Sequence, residues 1–171
     1  MKIIKNLTLA SVAATLLFQT SITRADDDQG DARDHRNTTV TWTKWVTLRI
    51  PNAGATEAFA TVAGVAGGDI GDGTMVGEAF NPVKPLDGGG VTFEADYHFR
   101  GSKHSFTVHF IVKQKPDNSG VVEGVVTDGW LKGNRVVGTY APGACGSGEG
   151  AGLSPCFHGT AEIERGSKNK D

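Results

Sequence analysis

The first candidate for chemistry is a glutamate on a strand face that also carries apolar side chains. Glu78 shares a strand face with Val76 and Phe80. A carboxyl group that lines an apolar cavity is partly desolvated, and it can then act as an acid or base near neutral pH. The opposite interpretation is equally open: Val76 and Phe80 then form an outer association patch, and the inner face is Met75, Gly77 and Ala79.

An aromatic hydroxyl is the second catalytic candidate. Tyr97 lies between Ala95 and Phe99 on the apolar face of a strand. A buried tyrosine needs a partner for its hydroxyl group, which makes Tyr97 a candidate polar group in an interior site. Simple core packing is the favoured alternative. Tyr140 and Trp130 are similar amphipathic side chains near a predicted barrel rim.

A single lysine interrupts the apolar face of the first predicted strand. Lys44 follows Val40 and Trp42 in the even positions and precedes Val46. A bulge or a rim position would let its ammonium group reach water, and this is the favoured interpretation. The alternative is a functional lysine inside the protein.

The most charged cluster is predicted to lie on a solvated outer face. It contains Glu94, Asp96, His98 and His109. Glu94 opposite His109 could form an ion pair or supply two metal ligands, but metal sites need three or four converging ligands. We therefore expect no metal here. The sequence also lacks a Walker loop, a dinucleotide-binding fingerprint and the common hydrolase motifs, so no cofactor is expected.

The chain from Val91 to Val112 alternates between apolar and mostly polar residues in two runs, which predicts two paired strands. Gly101-Ser102 suits a two-residue type II′ turn, since its first position needs a positive φ. That turn would pair residues 97 with 106, 95 with 108 and 93 with 110, so the apolar face of the hairpin would form a cavity wall. An isolated hairpin cannot bury such a face, and more strands are therefore required.

Alternation and turn signals predict eight strands and no helix in the mature chain. The strands lie at 38–50, 56–65, 74–80, in the two halves of 91–112, and at 121–126, 135–140 and 157–164. Short connections between successive strands favour an all-β, eight-stranded antiparallel up-and-down barrel, because closure removes the exposed edges. A barrel of this size is either filled by side chains or holds one small ligand.

The ends of the chain differ in composition from this core. Residues 1–25 combine Lys2 and Lys5, an apolar run and small residues before Ala25, which predicts a signal peptide and a secreted or periplasmic protein. Residues 26–37 are predicted to form a flexible arm, 38–165 a single barrel domain, and 166–171 a disordered tail. No later stretch is apolar enough for a membrane span.

Net charge narrows the range of partners. Cleavage after residue 25 removes three of the 17 basic residues and none of the 19 acidic ones, so 14 basic residues remain and the formal charge is −5. This balance argues against nucleic acid or an anionic membrane surface as the partner.

The two cysteines, Cys145 and Cys156, frame a glycine-rich loop. In an oxidising compartment they are expected to form one structural disulfide, which is favoured over a metal pair or a reactive thiol.

Several glycine and turn patterns resemble those of the allene oxide cyclase-like barrel proteins, and more closely their small secreted bacterial relatives than the plant enzymes or dirigent proteins. The resembling segments are residues 67–78, the Tyr97-His-Phe99 hairpin and the stretch 126–140. The resemblance implies an apolar cavity, often in a trimer, in which a reactive substrate is steered by confinement and a few polar groups. By that analogy Glu78 could be the cavity carboxylate.

These observations predict a secreted barrel that binds a small hydrophobic molecule and could catalyse its cofactor-free cyclisation or isomerisation. Glu78 and Tyr97 are the candidate catalytic residues. The candidate ligand-binding residues are Trp42, Phe93, Phe106, Phe110 and Tyr140. The alternatives are a lipocalin-like carrier without catalysis and a structural or interaction protein with a filled barrel.

Overall fold

A computed structural model describes residues 37–146 and 155–165. The predicted signal peptide (1–25), all of the predicted arm except Asn37, and the predicted tail (166–171) lie outside the described residues.

The described chain folds into eight antiparallel strands that close into an up-and-down barrel, as predicted. The strands are β1 (Thr38–Arg49), β2 (Ala58–Gly68), β3 (Gly73–Pro85), β4 (Val91–Gly101), β5 (Ser105–Gln114), β6 (Gly120–Gly129), β7 (Arg135–Gly143) and β8 (Cys156–Ile163). Each strand pairs with its neighbours in sequence, and β1 pairs with β8 to close the ring. Among these residues there is no helix with the length and apolar character that crossing a membrane would require.

The strand boundaries differ from the prediction mainly at β3. The sequence predicts a strand that ends at Phe80 and a loop from Asn81, whereas β3 continues to Pro85. Its pairing with β4 shifts register between Phe80 and Lys84, around a cis peptide bond between Asn81 and Pro82. The irregular segment therefore stays in the barrel wall beyond the predicted end of the strand.

The predicted register of the central hairpin is wrong by two residues. Tyr97 pairs with Val108 and Phe99 with Phe106, so the loop is Ser102-Lys103. Gly101 does not adopt a positive φ. A two-residue shift leaves every side chain on its predicted face, because side chains alternate with a period of two.

The β2–β3 connection supplies the reason for this register. The backbone N–H groups of Ser102 and Lys103 donate to the carbonyl oxygens of Asp72 and Ile70, at 3.0 and 2.9 Å. A Cβ atom at position 101 would lie 2.3 Å from the Ile70 oxygen. Gly101 is therefore required for close approach between two loops, and tertiary hydrogen bonds determine the turn.

The two ends of the barrel are built differently. The β2–β3, β4–β5 and β6–β7 connections meet at one end, called the closed end here. Ile70 is fully buried there, and Trp130 and Leu131 pack against the core. The His104 ring stacks on Trp130 with a centroid distance of 3.6 Å. The β1–β2, β3–β4 and β5–β6 connections meet at the opposite end, called the open end, where β7 also ends and β8 begins.

Cys145 and Cys156 form the predicted disulfide at the open end, with a sequence separation of 11 residues. Cys156 is fully buried at the start of β8. A disulfide is typical of an oxidising, extracellular environment.

Replacing both cysteines, as in Cys145→Ser/Cys156→Ser, is expected to lower the free energy of unfolding by about 2–3 kcal/mol, because the unfolded chain regains the entropy of an open loop. Urea unfolding of the double variant and of the oxidised wild type measures the difference. In denaturant the wild type should also show no thiol that reacts with Ellman's reagent, and two reactive thiols would contradict the bond.

Candidate ligand cavity

An apolar cavity of about 250 Å³ occupies the half of the barrel nearer the open end. Arg49, Val83 and Val91 lie near the ends of their strands on that side, and Arg49 and Val83 are exposed to solvent. The complete lining consists of Lys44, Val46, Arg49, Phe59, Ala60, Val62, Ala79, Val83, Val91, Phe93, Tyr97, Gln114, Tyr140 and Phe157.

The cavity contains one buried cationic side chain, Lys44, whose residue is only 6% exposed. Lys44 lies between Gly64 of β2 and Phe157 of β8 in the barrel wall. The β1 bulge that could have turned it outward occurs later, between Val46 and Leu48. The favoured prediction of a rim or bulge position is therefore wrong, and Lys44 points inward.

Aromatic rings surround the Lys44 nitrogen. Its Nζ donates a hydrogen bond to the Tyr97 hydroxyl oxygen. The same atom lies 4.4 Å from the Tyr97 ring centroid, 4.9 Å from that of Tyr140 and 5.9 Å from that of Phe157. No carboxylate of the described residues pairs with it.

Burial lowers the pKa of Lys44 to about 7 from its ordinary 10.5. The faces of the surrounding rings attract an ammonium group, but such contacts contribute only about 0.5–2 kcal/mol. Without a carboxylate the desolvation cost dominates. The amine is therefore close to half neutral at neutral pH.

Glycines on neighbouring strands make room for the two tyrosines beside Lys44. A Cβ atom at Gly77 would lie 2.4 Å from Cδ1 of Tyr97, and one at Gly120 would lie 2.7 Å from the Tyr140 hydroxyl oxygen. Each ring can therefore lie over the backbone of the adjacent strand. Burial raises the pKa of both tyrosines, and the electrostatic interaction with Tyr97 raises the pKa of Tyr140 further. Both hydroxyl groups therefore stay protonated.

Only part of the predicted ligand-binding set lines the cavity. Phe93 and Tyr140 do, whereas Trp42, Phe106 and Phe110 belong to the packed core outside it. In the packed part the Phe106 ring stacks on Phe99, with centroids 5.0 Å apart. Trp42 also contacts Phe99, edge to face at 6.0 Å. These rings fill the half of the barrel nearer the closed end, which the cavity does not occupy.

The predicted catalytic pair is not brought together. Tyr97 faces the interior and is 2% exposed, but Glu78 is exposed on the outer face beside Val76. The inner positions of β3 are Met75, Gly77 and Ala79, which is the second of the two interpretations left open by the sequence. Both faces of this strand carry apolar residues, so alternation alone does not determine which one is buried.

The charged cluster lies on the outer face, as predicted. His109 Nδ1 is 2.7 Å from Asp96 Oδ1, and its Nε2 is 3.6 Å from Glu94. His98 bonds instead to Thr107 through Nδ1, at 2.9 Å. The described residues contain no group of three or more histidine, cysteine or acidic side chains placed to hold a metal ion.

The cavity thus combines an apolar wall with one buried amine and two protonated phenols. Such a surface can enclose a hydrophobic molecule and contact one polar group on it. The sequence marks Lys44 by its position on an apolar strand face, but its environment depends on the closure of β1 against β8, which brings Phe157 and Tyr140 to it.

A Lys44→Met substitution is expected to change how stability depends on pH. Between about pH 7 and 10.5 the unfolded wild type holds a proton on Lys44 that the folded protein has released. The free energy of unfolding contributed by this group therefore rises with pH in that window. At or below pH 7 the full cost of a buried ammonium is present, so the methionine variant should be more stable there, by up to about 5 kcal/mol.

Urea unfolding at a series of pH values, followed by tryptophan fluorescence, measures this difference. Lys113→Met, at an exposed position of β5, is the matched control and should follow the wild type. A stability difference between wild type and the Lys44 variant that stays constant from pH 6 to pH 10 would contradict the predicted titration.

Comparison with protein-family models, with curated proteins and with solved structures finds no match for this chain. Membership of the allene oxide cyclase-like barrel family therefore stays a prediction, and the function is inferred from the cavity.

Proposed function

We propose that this protein binds a small, mostly apolar molecule in the cavity at the open end of the barrel. The observation that carries the proposal is the composition of that cavity, in which apolar side chains surround a single amine without a carboxylate partner. Lys44 and the Tyr97 hydroxyl would contact one polar group of the ligand, and the rest of the ligand would be held by apolar contact.

The dimensions of the cavity support a small ligand. Its volume of about 250 Å³ lies just below the range of roughly 300–1,000 Å³ found for drug-sized ligands. One ring with a short chain is a suitable size. The packed rings at the closed end prevent a longer molecule from passing through the barrel.

Binding is favoured over a filled, purely structural barrel. The packed rings occupy only part of the barrel interior. Phe59, Val62 and Phe93 line the cavity that remains and present apolar surface to it. An empty apolar cavity costs stability, which a ligand of matching shape would restore.

Catalysis would need a general acid or base that faces the ligand. With Glu78 on the outer face, Lys44 and Tyr97 are the groups placed for that role. The isomerase hypothesis therefore depends on this pair, whereas binding requires only the cavity.

We also infer that the protein acts outside the cytoplasm. The disulfide at the open end supports this location, and the predicted signal peptide would direct the chain there. The homo-oligomer implied by the family resemblance stays a prediction.

The proposal predicts that filling the cavity abolishes binding. In Ala79→Leu the larger side chain would occupy part of the ligand volume, since Ala79 lines the cavity. Titration calorimetry with hydrocinnamyl alcohol, a phenyl ring on a short saturated chain, is expected to show binding to the wild type and at least a roughly tenfold weaker affinity for the variant.

Ala141→Leu, at an exposed position of β7, is the matched control and should bind as the wild type does. Thermal unfolding of the free proteins checks that the Ala79 variant remains folded. If neither hydrocinnamyl alcohol nor any of a panel of aryl and medium-chain alcohols binds the wild type better than the filled variant, the proposed function is wrong.

A further inference from the structure

We propose that Lys44 condenses reversibly with the carbonyl group of a small apolar aldehyde in the cavity and holds it as an imine. This inference rests on the proposed function, because the aldehyde must first enter the cavity. It assigns to the site a ligand class and a covalent mode of capture.

The position of the Lys44 nitrogen supports this chemistry. The side chain is buried, lines the cavity and forms no ion pair with any carboxylate of the described chain. The hydrogen bond to Tyr97 holds the nitrogen in place. A carbonyl carbon that enters from the open end would therefore meet an amine that is not masked by a counter-ion.

The reaction balances without an oxidant or a reductant. The neutral amine attacks the carbonyl carbon, and one nitrogen proton moves to the oxygen to give a carbinolamine. The second nitrogen proton then leaves with the hydroxyl group as water. A C=N bond replaces the C=O bond. The Tyr97 hydroxyl lies beside the nitrogen and stays protonated, so it can donate a hydrogen bond to the carbonyl oxygen and to the departing hydroxyl group.

Burial also places the amine in its reactive form. A lysine in an apolar pocket is activated as a nucleophile because desolvation favours the uncharged state. The pKa of Lys44 is lowered to about 7. The other titratable or charged groups that line the cavity are Tyr97, Tyr140 and the cation Arg49 at the rim, and none of them adds a negative charge that would restore the ammonium form at neutral pH.

The surroundings of the nitrogen favour an aldehyde over other polar ligands. A carboxylate would need a permanent ammonium partner, whereas a neutral carbonyl group can be desolvated at lower cost. The rings of Tyr97, Tyr140 and Phe157 lie 4.4, 4.9 and 5.9 Å from Nζ. This crowding favours a terminal carbonyl carbon over the more hindered carbon of a ketone.

Reductive trapping tests the inference. The full-length mature protein would be incubated at pH 7 with hydrocinnamaldehyde and sodium cyanoborohydride, which fixes an imine as a secondary amine. Peptide mapping by mass spectrometry then locates the adduct. Exposed lysines hold roughly a thousandfold less neutral amine at this pH, so Lys44 is expected to carry at least about ten times more adduct than any of them.

Two variants control for position. Lys44→Met should lose the dominant adduct, while Ala79→Leu keeps the amine but should also lose it because the cavity is filled. Adduct spread evenly over Lys44 and exposed lysines such as Lys113, or equal adduct at Lys44 in the filled variant, would overturn the inference.

Binding of hydrocinnamyl alcohol separates the two proposals, since this alcohol matches the aldehyde in shape but cannot form an imine. If the wild type binds the alcohol and Lys44 carries no preferential adduct, imine formation is wrong and the binding function stands. If neither this alcohol nor any other alcohol of the panel binds and no preferential adduct forms, both proposals fail.

Discussion

The desolvated amine of Lys44 is the constraint on which the organisation of this barrel depends. Moving an ammonium group from water into an apolar interior is costly, and no carboxylate of the described residues offsets that cost. The structure accommodates the group by a hydrogen bond to Tyr97, by the surrounding aromatic rings and by a lowered pKa. Lys44 and the rings of Tyr97, Tyr140 and Phe157 all line the cavity, which links the cavity directly to the lysine.

The cavity exists because large side chains pack the closed end of the barrel more fully than the open end. Large rings such as Phe99 and Phe106 fill the closed end, while Ala60 and Ala79 face the other half. Glycines allow the tyrosines to lie close to the neighbouring strands, as Gly77 does for Tyr97. Small residues on β2 and β3 and the close approach of the tyrosines to neighbouring strands therefore leave room for a ligand.

Alternation in the sequence predicts the strands, the barrel and most of the inner face, because a strand buried on one side must repeat every two residues. It fails at β3, where apolar residues occur on both faces and Glu78 could point either way. Alternation places Lys44 on the inner face, where it lies, but the favoured rim or bulge interpretation is wrong because its partners Tyr97 and Tyr140 are far away in sequence and meet it only after closure. The hairpin register fails for a similar reason, since hydrogen bonds from another loop determine the turn.

A buried lysine without a counter-ion makes the folded state less stable than a methionine of similar length would at neutral pH. Groups that lower stability in this way are commonly found at functional sites, where their reactivity compensates for the cost. A purely structural barrel gains nothing from an amine at this position. A barrel that captures a carbonyl compound gains a nucleophile that is about half neutral at neutral pH only because it is buried. The same desolvation that destabilises the fold would therefore supply the proposed imine chemistry.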